Sequence, residues 1–252
     1  VREKTPRWLV GFKEKPETLV RLFCFPYAGG SAATFRAWPD AFPSHIQVLP
    51  VQLPGRGERL AEPGFKQLPD MIQTLGPALL PHFNKPFVFF GHSMGGLISL
   101  ELTRWLRRTG NPMPVQLFIS GRRAPQLPSE ELPSFDLPEP EFIERLRELN
   151  GTPPEVLDHP ELMQLMIPLL RADFSVCETY QYHAEPPLNC PITVFGGLGD
   201  VEVPREKLDP WREQTTRSFS LHMLPGNHFF LHTAQPEIIR LITEKLAKPQ
   251  SL

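Results

Sequence analysis

The chain has 252 residues, enough to bury one substantial core. Its charges nearly balance, with 26 Lys and Arg against 28 Asp and Glu, which excludes the basic excess of a nucleic-acid binder; an acidic partner would have to meet a local patch. Hydrophobic residues at 40% exclude a disordered composition, and the 31 prolines, spread along the chain ahead of apolar runs, mark turns and helix starts.

Cys24, Cys177 and Cys190 lie far apart with no C-x-x-C pair, the pattern of reduced thiols in a cytoplasmic protein rather than of disulfides or a metal site. No apolar stretch nears the roughly 20 residues that span a bilayer, and the charged segment 1–15 lacks a signal-peptide core. A soluble protein without membrane association is expected. Trp8 is expected to anchor the N-terminal arm.

Short apolar runs at 19–25, 46–52, 87–90, 115–120, 191–195 and 218–224 read as strands, separated by helical patterns. That alternation predicts a mostly parallel sheet with helices on both faces. The first strand leads into Phe25-Pro26-Tyr27-Ala28-Gly29-Gly30-Ser31, a Gly-rich loop. It lacks the lysine of a phosphate-binding P-loop and the third glycine of a dinucleotide fingerprint. After the second strand comes Gln52-Leu53-Pro54-Gly55-Arg56-Gly57, where Arg56 and Arg59 are expected to brace their loop.

The third strand, Phe87-Val88-Phe89-Phe90, runs into Gly91-His92-Ser93-Met94-Gly95. An amphipathic helix over 97–108 follows, with Ile98, Leu102, Trp105 and Leu106 on one face. A hydroxyl held on a sharp strand-to-helix turn stands clear of the sheet, and the glycines leave room for the crossing chain. Ser93 is therefore read as a nucleophile and the whole as an α/β-hydrolase fold.

From about 125 to 189 the rhythm breaks, with two or three helix patterns and no strand. Phe142, Ile143, Leu146 and Leu149 form one stripe; Leu162, Leu165, Met166 and Leu169 form another, with Pro168 a candidate kink. This reads as a helical lid insertion, the alternative being a structural hairpin, within a single domain over 1–252. Arg171 and Asp173 are expected to pair locally. The chain closes with a strand over 218–224 whose Phe219, Leu221 and Met223 alternate with polar residues, and a helix opened by Pro236. No internal repeat or low-complexity segment is present.

A serine nucleophile needs a histidine base, and the histidine an anion to orient it, in the chain order serine, acid, histidine. Gly196-Gly197-Leu198-Gly199-Asp200 follows the fifth strand and offers Asp200, with Glu202 and Asp209 as competitors. Pro225-Gly226-Asn227-His228-Phe229-Phe230 follows the sixth and offers His228, with His232 as its rival. The pair His228 and His232 lacks the glutamate and third ligand of a zinc site, so no metal is expected. His92 is read as packing. The oxyanion hole is assigned to the backbone N–H groups of Met94 and Ala28, with Tyr27 and Gly29 as alternatives for the second.

These motifs, with Ser120-Gly121-Arg122-Arg123-Ala124-Pro125 and Leu170-Arg171-Ala172-Asp173-Phe174, resemble the type II (stand-alone) thioesterases of nonribosomal peptide and polyketide synthesis along nearly the whole chain. That family is similar to the medium-chain thioesterases of animal fatty-acid synthesis. One departure is Gly226-Asn227-His228, where Gly-Gly-His is common. The resemblance implies the triad Ser93, Asp200 and His228, and acyl groups on the phosphopantetheine arm of acyl or peptidyl carrier domains as substrates, with editing of stalled carriers as the role. It implies no cofactor.

Tyr27, Arg122 and Arg123 are candidate substrate or carrier contacts; for the two arginines solvated loop charges are the favoured alternative. Other readings remain: an offloading or medium-chain fatty-acyl thioesterase, a small-ester esterase or lipase, and a catalytically dead binding protein. Tyr-Ala-Gly-Gly in place of His-Gly-Gly-Gly counts against the lipase. A monomer is the default expectation.

Overall fold

The computed structural model describes residues 8–129, 132–149, 151 and 154–247. Six strands form one sheet: β1 (Val20–Phe25), β2 (Ile46–Pro50), β3 (Phe87–His92), β4 (Gln116–Ser120), β5 (Ile192–Gly197) and β6 (Phe219–Leu224). Their order is β2-β1-β3-β4-β5-β6 and all five pairings are parallel. A parallel sheet buries both faces, so its inner strands read as continuous apolar runs. β3 is buried at every position, whereas edge strand β6 is half-buried except at Leu224.

The helices are α1 (Trp38–Ala41), α2 (Leu68–Leu79), α3 (Met94–Arg108), α4 (Glu139–Leu149), α5 (Pro154–Leu157), α6 (Pro160–Glu178), α7 (Arg205–Leu208), α8 (Phe230–Thr233) and α9 (Gln235–Ala247). Because side chains alternate along a strand, each strand feeds two cores. Phe23, Phe87, Phe89 and Ile119 pack with Met71 and Leu75 of α2 and Ile98 of α3. Leu22, Val88, Phe90 and Phe118 pack on the opposite face with Trp38 of α1 and Ile238 and Ile242 of α9. A third, smaller core of Phe142, Leu146, Leu157, Met163, Ile167 and Leu170 holds α4, α5 and α6 together between β4 and β5.

The six expected strands are all present, with shifted ends. β2 stops at Pro50, and Val51 instead bridges antiparallel to Leu9; β5 runs on through Gly196 and Gly197. α3 starts three residues before the apolar period, at Met94. Trp8 is an anchor as expected, buried with the Arg59 guanidinium 3.9 Å over its ring.

Two expectations about α6 fail. Its buried face is Met163, Ile167 and Leu170, while Leu162 and Leu165 are 42% and 56% exposed. The first half of α6 is apolar on most sides, so periodicity could not choose a face; the α4 and α5 side chains do. Arg171 and Asp173 do not pair: Arg171 donates to Phe135 O and lies over the Phe142 ring, and Asp173 turns inward to Arg56. Residues two apart on a helix point in different directions.

β1 is flanked by β2 on one side and β3 on the other, so successive connections leave it in opposite directions. This switch point opens a crevice at the carboxyl ends of the strands, where open α/β sheets place their ligands. The loops after β1 and β3 both open into it. No helix among the described residues is long and apolar enough to cross a membrane.

Candidate active site

Ser93 separates the last residue of β3 from the first of α3. Its φ is 51° and ψ −111°, the one positive φ outside glycine among the described residues. Such a backbone costs about 1–3 kcal/mol and is held only by firm surroundings. Ser93 N–H donates to Ser120 O at 2.8 Å, and Gly96 N–H to Ser93 O at 2.9 Å. The flanking glycines are obligatory: a Cβ on Gly91 would lie 2.0 Å from Gly95 O, and one on Gly95 would lie 2.1 Å from Phe25 O.

His228 follows β6, and its Nδ1 meets Asp200 Oδ2 at 2.7 Å. Asp200 Oδ1 accepts the N–H groups of Glu202 at 3.1 Å and Val203 at 3.0 Å. Burial raises the Asp200 pKa, but the hydrogen bond and charge of His228, with these two N–H groups, outweigh it and leave the carboxyl below its usual range. The competing acids point elsewhere: Glu202 to Arg145 at 3.5 Å, Asp209 to Arg212 at 3.3 Å. His232 meets the Tyr27 hydroxyl at 3.1 Å.

His92, read from sequence as packing, does more than pack. Fully buried, it joins Ser120 Oγ at 2.8 Å through Nδ1 and the His228 carbonyl at 2.9 Å through Nε2. It thus ties the serine turn to the histidine loop. Burial first, then the neighbouring His228 charge, holds its pKa well below the usual histidine value. Only the three-dimensional closeness of β3 and the loop after β6 could reveal this contact.

Met94 opens α3, where backbone N–H groups have no partner within the helix. Of the donors after β1, Gly29 is excluded because its N–H is bound to Asp173 Oδ2 at 2.7 Å. Ala28 and Tyr27 line the cavity with Ser93 and His228. That cavity, about 180 Å³, is walled by Leu146, Leu170, Phe174 and Phe229. A second, of about 150 Å³, meets it at Ser93 and His228 and is lined by Arg122, Arg123 and Lys207 together with Glu178 and Glu202, and the two glutamates and Arg122 also line the first. A larger one, about 430 Å³, lies between α2, α3 and the segment after α6 and contains no sequence-predicted site residue.

The arginines after β4 are both half-buried. Arg123 braces its loop by donating to Pro128 O at 2.6 Å, and half-buried Arg122 lines both cavities at Ser93. Among the described residues there is no cluster of three or more His, Cys, Asp or Glu that could hold a metal ion.

The parallel sheet, its covering helices and the turn between β3 and α3 define an α/β-hydrolase fold. The chain belongs to the thioesterase domain family, whose model matches residues 20–246. It is 47% identical to linear gramicidin dehydrogenase LgrE of Brevibacillus parabrevis over 95% of this chain and 92% of that one. It is likewise 47% identical to gramicidin S biosynthesis protein GrsT of Aneurinibacillus migulanus, over 95% and 94%. A solved structure, the type II thioesterase BorB from the borrelidin biosynthetic cluster, superposes with a TM-score of 0.86 at 32% identity, covering 97% of this chain and 99% of that one. The first relative's name specifies a dehydrogenase, yet the turn after β1 here ends at Gly29-Gly30-Ser31, without the third glycine of a dinucleotide fingerprint.

Proposed function

We propose that this protein is a type II thioesterase that hydrolyses acyl groups from the phosphopantetheine arm of carrier domains in nonribosomal peptide or polyketide synthesis, clearing stalled carriers. The observation that carries the reading is the meeting of two cavities at Ser93 and His228, one with an apolar wall of Leu146, Leu170, Phe174 and Phe229, the other holding Arg122, Arg123 and Lys207 beside Glu178 and Glu202. An acyl chain suits the first; a polar arm bearing a phosphate suits the second, with Arg122 and Arg123 as its contacts and Tyr27 at the acyl side. Similarity to BorB and to the gramicidin relatives supports the biosynthetic setting.

In the mechanism, Ser93 Oγ attacks the thioester carbonyl while His228 Nε2 takes its proton, the resulting imidazolium being held by Asp200 at Nδ1. Met94 and Ala28 N–H groups receive the oxyanion. Collapse breaks the C–S bond, and His228 returns the proton to the departing sulfur. A water then gives its proton to His228 and attacks the acyl-serine carbonyl. Collapse of that second intermediate releases the acid, and His228 reprotonates Ser93. No cofactor takes part.

The cavity at Ser93, about 180 Å³, has room for an acyl group of roughly six heavy atoms, about the size of benzene. That favours clearing short acyl groups over releasing a long chain. In this reading the helices α4–α6, within a lid over about 125–189 of a single catalytic domain, close the acyl cavity, and the protein works as a cytoplasmic monomer. Its three cysteines, all free, support a reducing compartment.

The test offers an acyl carrier, acyl-coenzyme A and a p-nitrophenyl ester in parallel and compares kcat/KM. Acyl carrier is expected to be preferred, with acetyl or propionyl ahead of decanoyl. Preference for the free ester would remove the carrier, and preference for decanoyl would favour product release.

A further inference from the structure

Two charged residues of the sequence motifs have no part in the site so far: Arg56 of Gln52-Leu53-Pro54-Gly55-Arg56-Gly57 after β2, and Asp173 of Leu170-Arg171-Ala172-Asp173-Phe174 in α6. The fold joins them. Arg56 and Asp173, 117 residues apart, form a forked ion pair with Nη2 to Oδ1 at 2.7 Å and Nη1 to Oδ2 at 2.8 Å, both side chains buried. Neither lines either of the two cavities described at Ser93.

A buried ion pair is a poor stabiliser, because desolvation cancels most of the attraction. What a guanidinium fork and a carboxylate fix well is direction. Here the directions converge on the turn after β1. Asp173 Oδ2 accepts Gly29 N–H at 2.7 Å, and Arg56 Nη1 donates to Gly30 O at 2.9 Å. Arg56 Nε donates to Pro54 O at 3.1 Å, anchoring the guanidinium from behind. The turn is closed by Gly30 N–H to Tyr27 O at 2.9 Å, with Gly29 third at φ 76°, as a type II turn requires. Leu170, one turn before Asp173 on α6, occupies the space where a Gly29 Cβ would stand, 2.6 Å away. The two residues immediately after Ala28 are therefore gripped from α6 and from the loop after β2.

We infer that Arg56 and Asp173 are positioning residues that aim the Ala28 N–H at the oxyanion, so that the hole is complete only when α6 is seated on the turn. This rests on Ser93 as nucleophile and Ala28 as donor. The pair touches no reacting atom. Its effect belongs to the transition state, since the ground-state carbonyl needs the donor less than the tetrahedral oxyanion does.

The deciding variant is Arg56→Lys, which keeps the charge but not the fork; Asp173→Asn, which keeps an acceptor for Gly29, is read in the same way if Arg56→Lys melts below the assay temperature. The substrate is whichever thioester or p-nitrophenyl ester the wild type hydrolyses. The probes are a trifluoromethyl ketone, which adds Ser93 to form an oxyanion, and a non-hydrolysable thioether analogue, which does not. Losing one oxyanion donor outright costs about 100–1,000-fold, so a mis-aimed donor is expected to lower kcat roughly 10–100-fold. KM is expected to stay within about threefold, with ketone affinity falling alongside kcat/KM and thioether affinity unchanged. A kcat within twofold of wild type, a loss confined to KM, or ketone and thioether affinities falling together would overturn the inference. Activity surviving in Ser93→Ala would instead locate the failure in the nucleophile assignment.

Discussion

Asp200 holds its charge against burial because His228 and two backbone N–H groups face it. With its pKa depressed, the stability this carboxylate contributes is complete above its ordinary value of 3.8 and is lost as pH falls through the folded value. In the proposed triad, Ser93→Ala is expected to lose roughly a millionfold in kcat and Asp200→Ala somewhat less, by steady-state kinetics. Glu202→Ala and Asp209→Ala should stay within about tenfold, because their carboxylates lie on Arg145 and Arg212. A larger loss at either would reassign the acid. His92 gives a pH prediction of its own. It stays neutral when folded, whereas the unfolded chain takes up a proton near pH 6.5, so stability falls as pH drops below that value. His92→Gln should flatten the denaturation midpoint between pH 6.5 and 5; an unchanged slope would show that another group governs it. Cys177 touches the acyl cavity, but burial pushes its thiol up to about 11, leaving too little thiolate at neutral pH to compete with Ser93 for an acyl group.

At the scale of elements, the junction of β3 with α3 carries the tightest constraint. Gly91 and Gly95 let α3 start directly against β1 and β3, which aims its unpaired first N–H groups into the crevice. Gly95→Ala would drive a Cβ into the Phe25 carbonyl, and backbone cannot rotate away as a side chain can. The expected cost is at least the roughly 1–3 kcal/mol of an overpacked core, visible as a lower denaturant midpoint with activity abolished. Full activity at an unchanged midpoint would mean that the junction is looser than its distances indicate. α6 shows the opposite situation: helicity was legible in its pattern, but not its orientation. Apolar residues on most sides left the choice of face to Phe142, Leu146 and Leu157 across the small core.

Over the whole molecule, two layers of helices on a parallel sheet leave the strand ends as the place where distant loops can meet. Gly29, Ser93, Asp200 and His228 come from four such loops. The arm at Trp8 lies outside this arrangement. Trp8 O accepts Gln52 N–H at 2.8 Å, Leu9 bridges Val51, and the ring lies under Arg59, fastening the arm along the end of β2. Trp8→Ala is expected to lower unfolding stability by about 3 kcal/mol in urea while leaving kcat within twofold. A stable but inactive variant would show instead that the arm shapes the loop after β2, and through Arg56 the turn after β1.

The sequence by itself determined the strands, the serine turn and the candidates for the proposed triad, because each is written locally: an apolar run, a glycine pair, a carboxylate or imidazole just past a strand. It also determined that a helical insertion interrupts the pattern before the fifth strand. Only the tertiary structure decided which acid faces His228, that Gly29 is occupied and so is no oxyanion donor, and that His92 and the Arg56–Asp173 pair lock loops together. These depend on groups tens of residues apart arriving within hydrogen-bond distance. Such contacts leave no local period in the chain; they are fixed by which strand ends the parallel sheet sets side by side.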